Sequence, residues 1–329
     1  MKILYCVQLT GNGHVTRANE LIPKFKKVAK VGVLTSGNQN SLEIKEKVNF
    51  KFRGLSFVFG SQGGVDIFKT ILNLRPFTFI KDVFNLQVKN YDLIINDFEP
   101  VSAWACKFRG VPCYSMSRQF SLLQKNSFNK VKPKLYEFLI LKYFAPSING
   151  IGFDYKKNNS NNFYPIIKSD IKRKKVINKN HYAIYLPSFS IENIISFFSS
   201  LDQVIWHVFS PKINKPFKKK NISFFPTDYK VFEQSILSCK GIVSNAGFET
   251  TSEALYLDKK LLIIPMKNQF EQRYNASILS DMGIKILPDL KPKRLETLKE
   301  WILSKKSVKA SYDYNYKSIV DKTLLDFNK

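Results

Sequence analysis

The sequence predicts an α/β protein built from two Rossmann-like, doubly wound domains facing a central cleft. Three observations carry this expectation. The chain has 329 residues, above the size at which a single core usually stops growing, so two domains are expected. Short apolar strands alternate with helix-period segments in both halves, the pattern of parallel sheets covered on both faces. Between the halves, residues 156–180 lose that rhythm and turn polar and basic. The predicted domains are therefore 1–155 and 181–329, joined by a basic linker at 156–180. The last helix is expected to pack back on the N-terminal domain.

The elements follow in order. Lys2-Ile3-Leu4-Tyr5-Cys6-Val7 is a strand that leads into the turn Gly11-Asn12-Gly13-His14. A helix from about Thr16 to Ala29 puts Ala18, Leu21, Ile22, Phe25 and Val28 on one stripe, with a kink or restart expected at Pro23. Val31 to Thr35 is a second strand, stopped at Ser36-Gly37-Asn38. Tyr91 to Asp97 is an apolar-centred strand ending in an acid, followed by a helix from Val101 to Phe108 and a strand beginning at Gly110-Val111-Pro112-Cys113. The connection holds Lys156-Lys157-Asn158-Asn159-Ser160-Asn161-Asn162 and Lys172-Arg173-Lys174-Lys175, a composition expected not to pack a core. The rhythm then restarts, with strands at Tyr182–Leu186, Val204–Val208, Ile222–Phe225, Gly241–Ser244 and Leu261–Ile264. Helices are expected at Ile191–Leu201, Tyr229–Cys239 and Thr250–Leu257. Sheets of this kind bind ligands at the carboxyl ends of their strands.

Hydrophobic residues are 44% and charged residues 24% of the chain, which excludes global disorder. No run reaches the ~18 apolar residues of a membrane span, and Met1 to Leu9 reads as a buried strand and not a signal peptide. The cysteines, Cys6, Cys106, Cys113 and Cys239, form no CxxC pair, so a reduced, cytoplasmic compartment is expected. Lys plus Arg is 52 against 26 Asp plus Glu, a net charge of +26. That surplus points either to an anionic partner (nucleic acid, acidic membrane or phosphorylated substrate) or to a compositional bias toward Lys and Asn.

Four motifs carry chemistry. Gly11-Asn12-Gly13-His14-Val15-Thr16-Arg17 follows the first strand and opens a helix, where glycines permit close approach of a ligand and helix amides meet an anion or polar group. Thr16 stands where a dinucleotide fingerprint needs its third glycine, and the second strand ends at Ser36-Gly37 without a ribose-binding acid, which disfavours NAD. Ser244-Asn245-Ala246-Gly247-Phe248-Glu249-Thr250 repeats the strand, turn and helix plan, with Glu253 placed to accept hydrogen bonds from a ribose diol and the Gly247 amides to hold a diphosphate. Asn96-Asp97-Phe98-Glu99-Pro100 ends a strand, and its two acids contact acceptor hydroxyls, orient His14, or form a solvated loop; a metal clamp is disfavoured. Between Arg118 and Phe144, Phe120, Phe128, Tyr136, Phe138 and Phe144 alternate with Lys125, Lys130, Lys132, Lys134 and Lys142. With Pro76-Phe77-Thr78-Phe79-Ile80, they read either as a face resting on anionic lipid or as one core helix with solvated lysines. No nucleic-acid motif accompanies them.

Taken together, these motifs resemble the GT-B glycosyltransferases that use nucleotide-diphosphate sugars. The similarity is greatest to the branch that adds N-acetylglucosamine to the lipid-linked peptidoglycan precursor, with its bacterial and archaeal homologues. It covers the whole chain. The resemblance implies a metal-independent, cofactor-free, inverting transfer of the hexosyltransferase type, from a nucleotide sugar such as a UDP-sugar to a glycan or lipid-linked hydroxyl. It places Gly247, Phe248 and Thr250 on the phosphates, Glu253 on the ribose, Glu271 and Gln272 on the donor sugar, and Phe224, Phe225 and Pro226 against the base. His14 is expected to be the catalytic base, with Asp97 next in line, and Gly11, Asn12, Gly13 and Glu99 the acceptor or phosphate loop. The sequence departs from the family in having Leu186-Pro187-Ser188-Phe189-Ser190 where a Gly-Gly-Ser loop is usual, and Asn245-Ala246-Gly247 in place of His-Cys-Gly. A UDP-sugar epimerase of the same fold, and a basic membrane- or nucleic-acid-binding protein with an inactive site, are the alternatives. The expected location is the cytoplasm, or the inner face of the plasma membrane as a peripheral protein.

Overall fold

The computed structural model describes residues 1–37, 42–55, 75–157, 159–312 and 316–328; Asn38 and Asn158, part of the turn and connection expected above, lie outside them. The chain divides into two compact units, the first running to Lys168 and taking in the C-terminal segment, the second reaching from Ser169 to Tyr312.

In the first unit the strands are β1 (Lys2–Gln8), β2 (Lys30–Ser36), β3 (Phe50–Phe52), β4 (Leu93–Asp97), β5 (Cys113–Ser117), β6 (Asn149–Phe153) and β7 (Asn162–Phe163), in the order β3-β2-β1-β4-β5-β6-β7. All neighbours are parallel. β1 is central, and Ile3 to Val7 are fully buried, which is why that run shows no polar alternation. The strand order reverses between β1 and β4, where Val7 is paired with Asp97. This is the switch point at which doubly wound sheets bind ligands.

The first helix spans Asn12–Phe25 and so begins at Asn12 instead of Thr16, drawing Gly13 and His14 into its first turn. It runs through Pro23 to Phe25 without restarting. The stretch from Arg118 to Phe144 is not one helix but three short ones, Arg118–Leu122, Lys125–Lys130 and Leu135–Tyr143, of which the first opens on a Ser117 cap and the last on the Lys134 amide, which donates to Glu137 Oε2 at 2.8 Å. The polar connection also packs more than its composition predicts. It contains β7 and the helix Ser169–Arg173, and Ile166, Ile167 and Ile171 are buried. The C-terminal helix Tyr316–Phe327 belongs to this unit: Tyr316 exchanges hydrogen bonds with the Ile167 backbone at 2.8 and 2.7 Å, and the Tyr114 hydroxyl donates to Asp326 at 2.9 Å.

The second unit repeats the plan with β8 (Tyr182–Tyr185), β9 (Trp206–Ser210), β10 (Phe217–Lys219), β11 (Ile222–Pro226), β12 (Gly241–Ser244), β13 (Lys260–Ile263) and β14 (Lys285–Ile286). Their order is β10-β11-β9-β8-β12-β13-β14, and only the edge strand β10 is antiparallel to its neighbour. Its core gathers on Trp206, whose ring meets Phe198 at 4.8 Å and Tyr182 at 5.4 Å between centroids. Here the order reverses between β8 and β12.

Candidate active site

In the first unit, β1 ends in a turn whose Gly11 has φ 126°, a conformation in which a side chain would be strained. The helix that follows carries His14 on its first turn and Arg17 three residues on, the spacing that stacks side chains on one face. Both reach Asp97, the last residue of β4. His14 Nδ1 lies 2.7 Å from Asp97 Oδ1, while Arg17 donates from Nε to Oδ2 at 2.7 Å and from Nη2 to Oδ1 at 2.9 Å. Asp97 is 0% exposed, Arg17 3% and His14 9%. Burial would raise the Asp97 carboxyl, but the adjoining Arg17 and His14 outweigh it and hold that carboxyl below its ordinary value. An ionised carboxylate only accepts, so His14 carries its proton on Nδ1 and presents Nε2 as the acceptor atom. The His14 ring lies parallel to Phe98, with centroids 6.5 Å apart, and Phe98 holds φ 56° at the end of the strand.

Asp97 therefore orients His14 and is itself too enclosed to take a proton from an acceptor. Glu99 has a different task from the one the sequence proposes. It is fully buried and caps the helix Pro100–Arg109, accepting from the Val101 and Ser102 amides at 2.8 and 2.7 Å and from the Ser102 hydroxyl at 2.5 Å. Burial pushes its carboxyl up against the opposing pull of Ser102. These hydrogen bonds turn Glu99 toward the helix and not toward His14. Among the described residues, no three His, Cys, Asp or Glu side chains gather as metal ligands would. Asn12 accepts from the Leu42 amide at 3.2 Å and so ties down that segment, while Gly11 and Gly13 shape the turn.

At the switch point of the second unit, Ser188 donates to Asn245 Oδ1 at 3.1 Å, joining the loop after β8 to the loop after β12. Asn245 Nδ2 reaches the Ile264 carbonyl at 2.6 Å, and Asn275, from the helix Phe270–Asp281, donates to the Ala246 carbonyl at 2.8 Å. Lys212 Nζ holds the Phe189 carbonyl at 3.0 Å, so the loop that lacks the usual glycines is pinned from both ends. The helix Phe248–Tyr256 begins on Gly247 without a side-chain cap, and a Cβ at Gly247 would meet nothing within 4 Å. A helix that begins on a glycine is a place where an anion can meet backbone amides. Phe248 is buried, whereas Thr250 is partly exposed. Glu253 is 4% exposed, two turns into the same helix.

Gln272 is buried and accepts from the Met266 amide at 3.4 Å, and Glu271 lies half-buried in the first turn of its helix. The aromatic pair differs from expectation. Phe224 is fully buried in the core, stacked on Phe217, and cannot clamp a base. Phe225 stays in β11, half-buried, and its ring packs against Phe209 and His207 at 5.2 and 5.3 Å between centroids. The sequence reading gave no role to Arg17, Ser188, Asn245 or Asn275; the spacing of Arg17 from His14 was the available signal.

The family model for glycosyl transferase family 1 matches residues 1–303. The chain belongs to that family. As a family 1 glycosyltransferase it is an enzyme of sugar transfer, which sets aside the epimerase and the inactive binding protein. No curated protein matches it in sequence. Among solved structures it is similar to Acinetobacter baumannii MurG, at 12% identity and TM-score 0.60 over 98% of this chain and 99% of that one. It is similar also to Arabidopsis thaliana UGT89C1 complexed with UDP, at 12% identity and TM-score 0.59 over 99% of each chain. The spinosyn forosaminyltransferase SpnP matches at 12% identity and TM-score 0.58, over 100% of this chain and 94% of that one. The glycosyltransferase therefore has the GT-B fold of two Rossmann-like domains.

Proposed function

We propose that this glycosyltransferase moves a sugar from a UDP-sugar to an acceptor hydroxyl with inversion and without a metal. The observation that carries the reading is the Asp97–His14 pair at the switch point of the first sheet. His14 Nε2 takes the acceptor proton as the acceptor oxygen bonds to the anomeric carbon. The bond from that carbon to the phosphate oxygen breaks, and the diphosphate leaves with the electron pair. Amides at the N-terminus of the helix after Gly247 stabilise it. Glu253 accepts from the ribose diol. Two similar solved structures support a nucleotide donor: UGT89C1 is complexed with UDP and the glycosyltransferase VinC with dTDP.

Glu253→Ala tests the donor half of this reading. Loss of charge-assisted hydrogen bonds worth about 1.5–3 kcal/mol weakens UDP roughly tenfold to a hundredfold, with the fold retained. Calorimetric titration with UDP measures it, and an unchanged dissociation constant removes Glu253 from the donor site.

The acceptor in this proposal is a glycan or lipid-linked hydroxyl, reached from the inner face of an anionic membrane as a peripheral protein. Among the described residues no helix is long and apolar enough to cross a membrane. What favours a lipid surface is the exposure, in the first unit, of Phe77, Leu135, Leu139 and Tyr143 alongside Lys130, Lys132, Lys134 and Lys142. Each basic residue near an anionic surface contributes roughly 1 kcal/mol. Vesicles with anionic lipid should therefore float the protein at low salt and release it as the Debye length shrinks toward ~8 Å. Replacing Lys130, Lys132 and Lys134 by Gln should reduce flotation and leave UDP binding alone. Equal flotation of the two proteins removes the membrane face from the proposal.

A further inference from the structure

We infer that Lys212 binds the donor's diphosphate, an assignment that rests on the nucleotide-sugar reading above. Lys212 brings, from a side chain, the positive charge that the loop after β8 does not offer through its backbone. Ligands of doubly wound sheets lie where the strand order reverses, here at the carboxyl ends of β8 and β12. The loop after β8 leads into the helix Ile191–Phe198, whose first turn already meets groups of its own chain. Ser190 Oγ accepts from the Asn193 amide at 3.2 Å. The exposed Glu192 carboxyl is held below its ordinary value first by its own amide and then by Ser190, with a smaller pull from Lys212. That negative charge answers the positive end of the helix, where a phosphate would otherwise sit.

Lys212 stands beside that loop on a fixed base. β9 ends at Ser210, and its Phe209 is paired with Tyr185 at the end of β8. The Lys212 amide donates to Ser210 Oγ and the Ile213 amide to the Ser210 carbonyl, each at 3.2 Å. Ser210 and Ile213 are buried, while Lys212 is exposed. Its ammonium donates to the Phe189 carbonyl at 3.0 Å. Phe189 adjoins Ser188, which donates to Asn245 Oδ1 at 3.1 Å, and Asn245 begins the turn into the helix after Gly247. Two hydrogen bonds therefore connect the ammonium with the turn on which the diphosphate is placed. An ammonium has three protons to donate, and Phe189 takes one. A phosphate oxygen forms the stronger, charge-assisted bond with another.

The test compares ligands that differ only in phosphate, on the full chain. Calorimetry follows UDP and NMR titration follows uridine, for the parent, Lys212→Gln and Lys212→Arg. Lys212→Gln should weaken UDP about tenfold or more and leave uridine within about twofold of the parent. Lys212→Arg keeps the charge and should recover most of the UDP affinity. Lys285→Gln removes the same charge at the amino end of β14 and should leave UDP binding unchanged. In the parent, the Lys212 ε-methylene signal, assigned by its loss in Lys212→Arg, should move with UDP and not with uridine; this carries the test should Lys212→Gln not fold. A lysine that serves only the loop would weaken UDP and uridine alike when replaced. That result, or an unchanged UDP affinity in Lys212→Gln, overturns the inference while UDP binding by the parent keeps the donor reading. A parent that binds neither UDP nor uridine overturns both.

Discussion

His14→Ala lowers turnover by about 10²–10⁴ at saturating donor and acceptor, the range set by loss of a positioned general base. UDP affinity stays close to that of the parent, because the proposed nucleotide grip (Gly247, Thr250 and Glu253) lies in the second unit while His14 lies in the first. The fold is also expected to tolerate the change. His14 contributes one hydrogen bond to Asp97, and Arg17 continues to hold both carboxylate oxygens in its absence. Single-turnover rates and calorimetry on the same preparation separate the two quantities. A collapse of UDP affinity with turnover at saturation preserved would make His14 a phosphate ligand instead. Asp97 would not then inherit the role of base, since it is enclosed by Arg17 and has no exposed oxygen to offer.

Asp97→Asn acts mainly on stability. The replacement keeps the shape of the side chain but leaves the Arg17 guanidinium buried without its carboxylate, and the new amide donors face donors of Arg17. Breaking a buried pair by removing one partner costs about 3–5 kcal/mol. The pH dependence follows from the depressed Asp97 carboxyl, which is ionised in the folded chain at pH values where the unfolded chain would already bind a proton. The parent's advantage is therefore complete above the ordinary carboxylate value of 3.8 and fades as pH falls through the lower folded value. Urea unfolding of both proteins at neutral pH and at successively lower pH measures this. A difference below about 1 kcal/mol at neutral pH would mean the pair behaves like an exposed ion pair. Turnover should fall as well, because the proton on His14 Nδ1 loses the acceptor that fixes it there.

The parts of the fold legible in the sequence were those with a strong period or an uninterrupted apolar run. β1, β4 and β12 are buried on both faces and read directly as strands, and their carboxyl ends marked both switch points. β3, β6 and β7 escaped because they are short or contain glycine: Asn149-Gly150-Ile151-Gly152-Phe153 has little β character on its face. Gly152 is nonetheless required, since a Cβ there would fall 2.6 Å from Ser121. The site was legible where chemistry and strand end coincide, as at His14, Asp97 and Gly247. Glu99 misled because an acid two residues after a strand looks the same whether it meets a ligand or caps the next helix. Only the Val101 and Ser102 amides decide between these. Phe224 and Phe225 misled for a related reason: aromatic residues near the end of a strand do not reveal how far the strand continues. Arg17 went unremarked because arginine on a helix is usually solvated, and its burial depends on Asp97, which is distant in sequence.

The return of the chain to its first unit has a consequence for biosynthesis. Among the described residues the second unit runs from Ser169 to Tyr312, and that stretch can begin to close as soon as it leaves the ribosome. The first unit cannot. Its early strands emerge long before the helix Tyr316–Phe327, which supplies the partner of Ile167 and the acceptor for Tyr114. During synthesis the half that carries His14 must therefore wait, incompletely covered, while the half made later finishes first. Until then the Ile167 backbone and the Tyr114 hydroxyl lack the hydrogen bonds that the helix supplies.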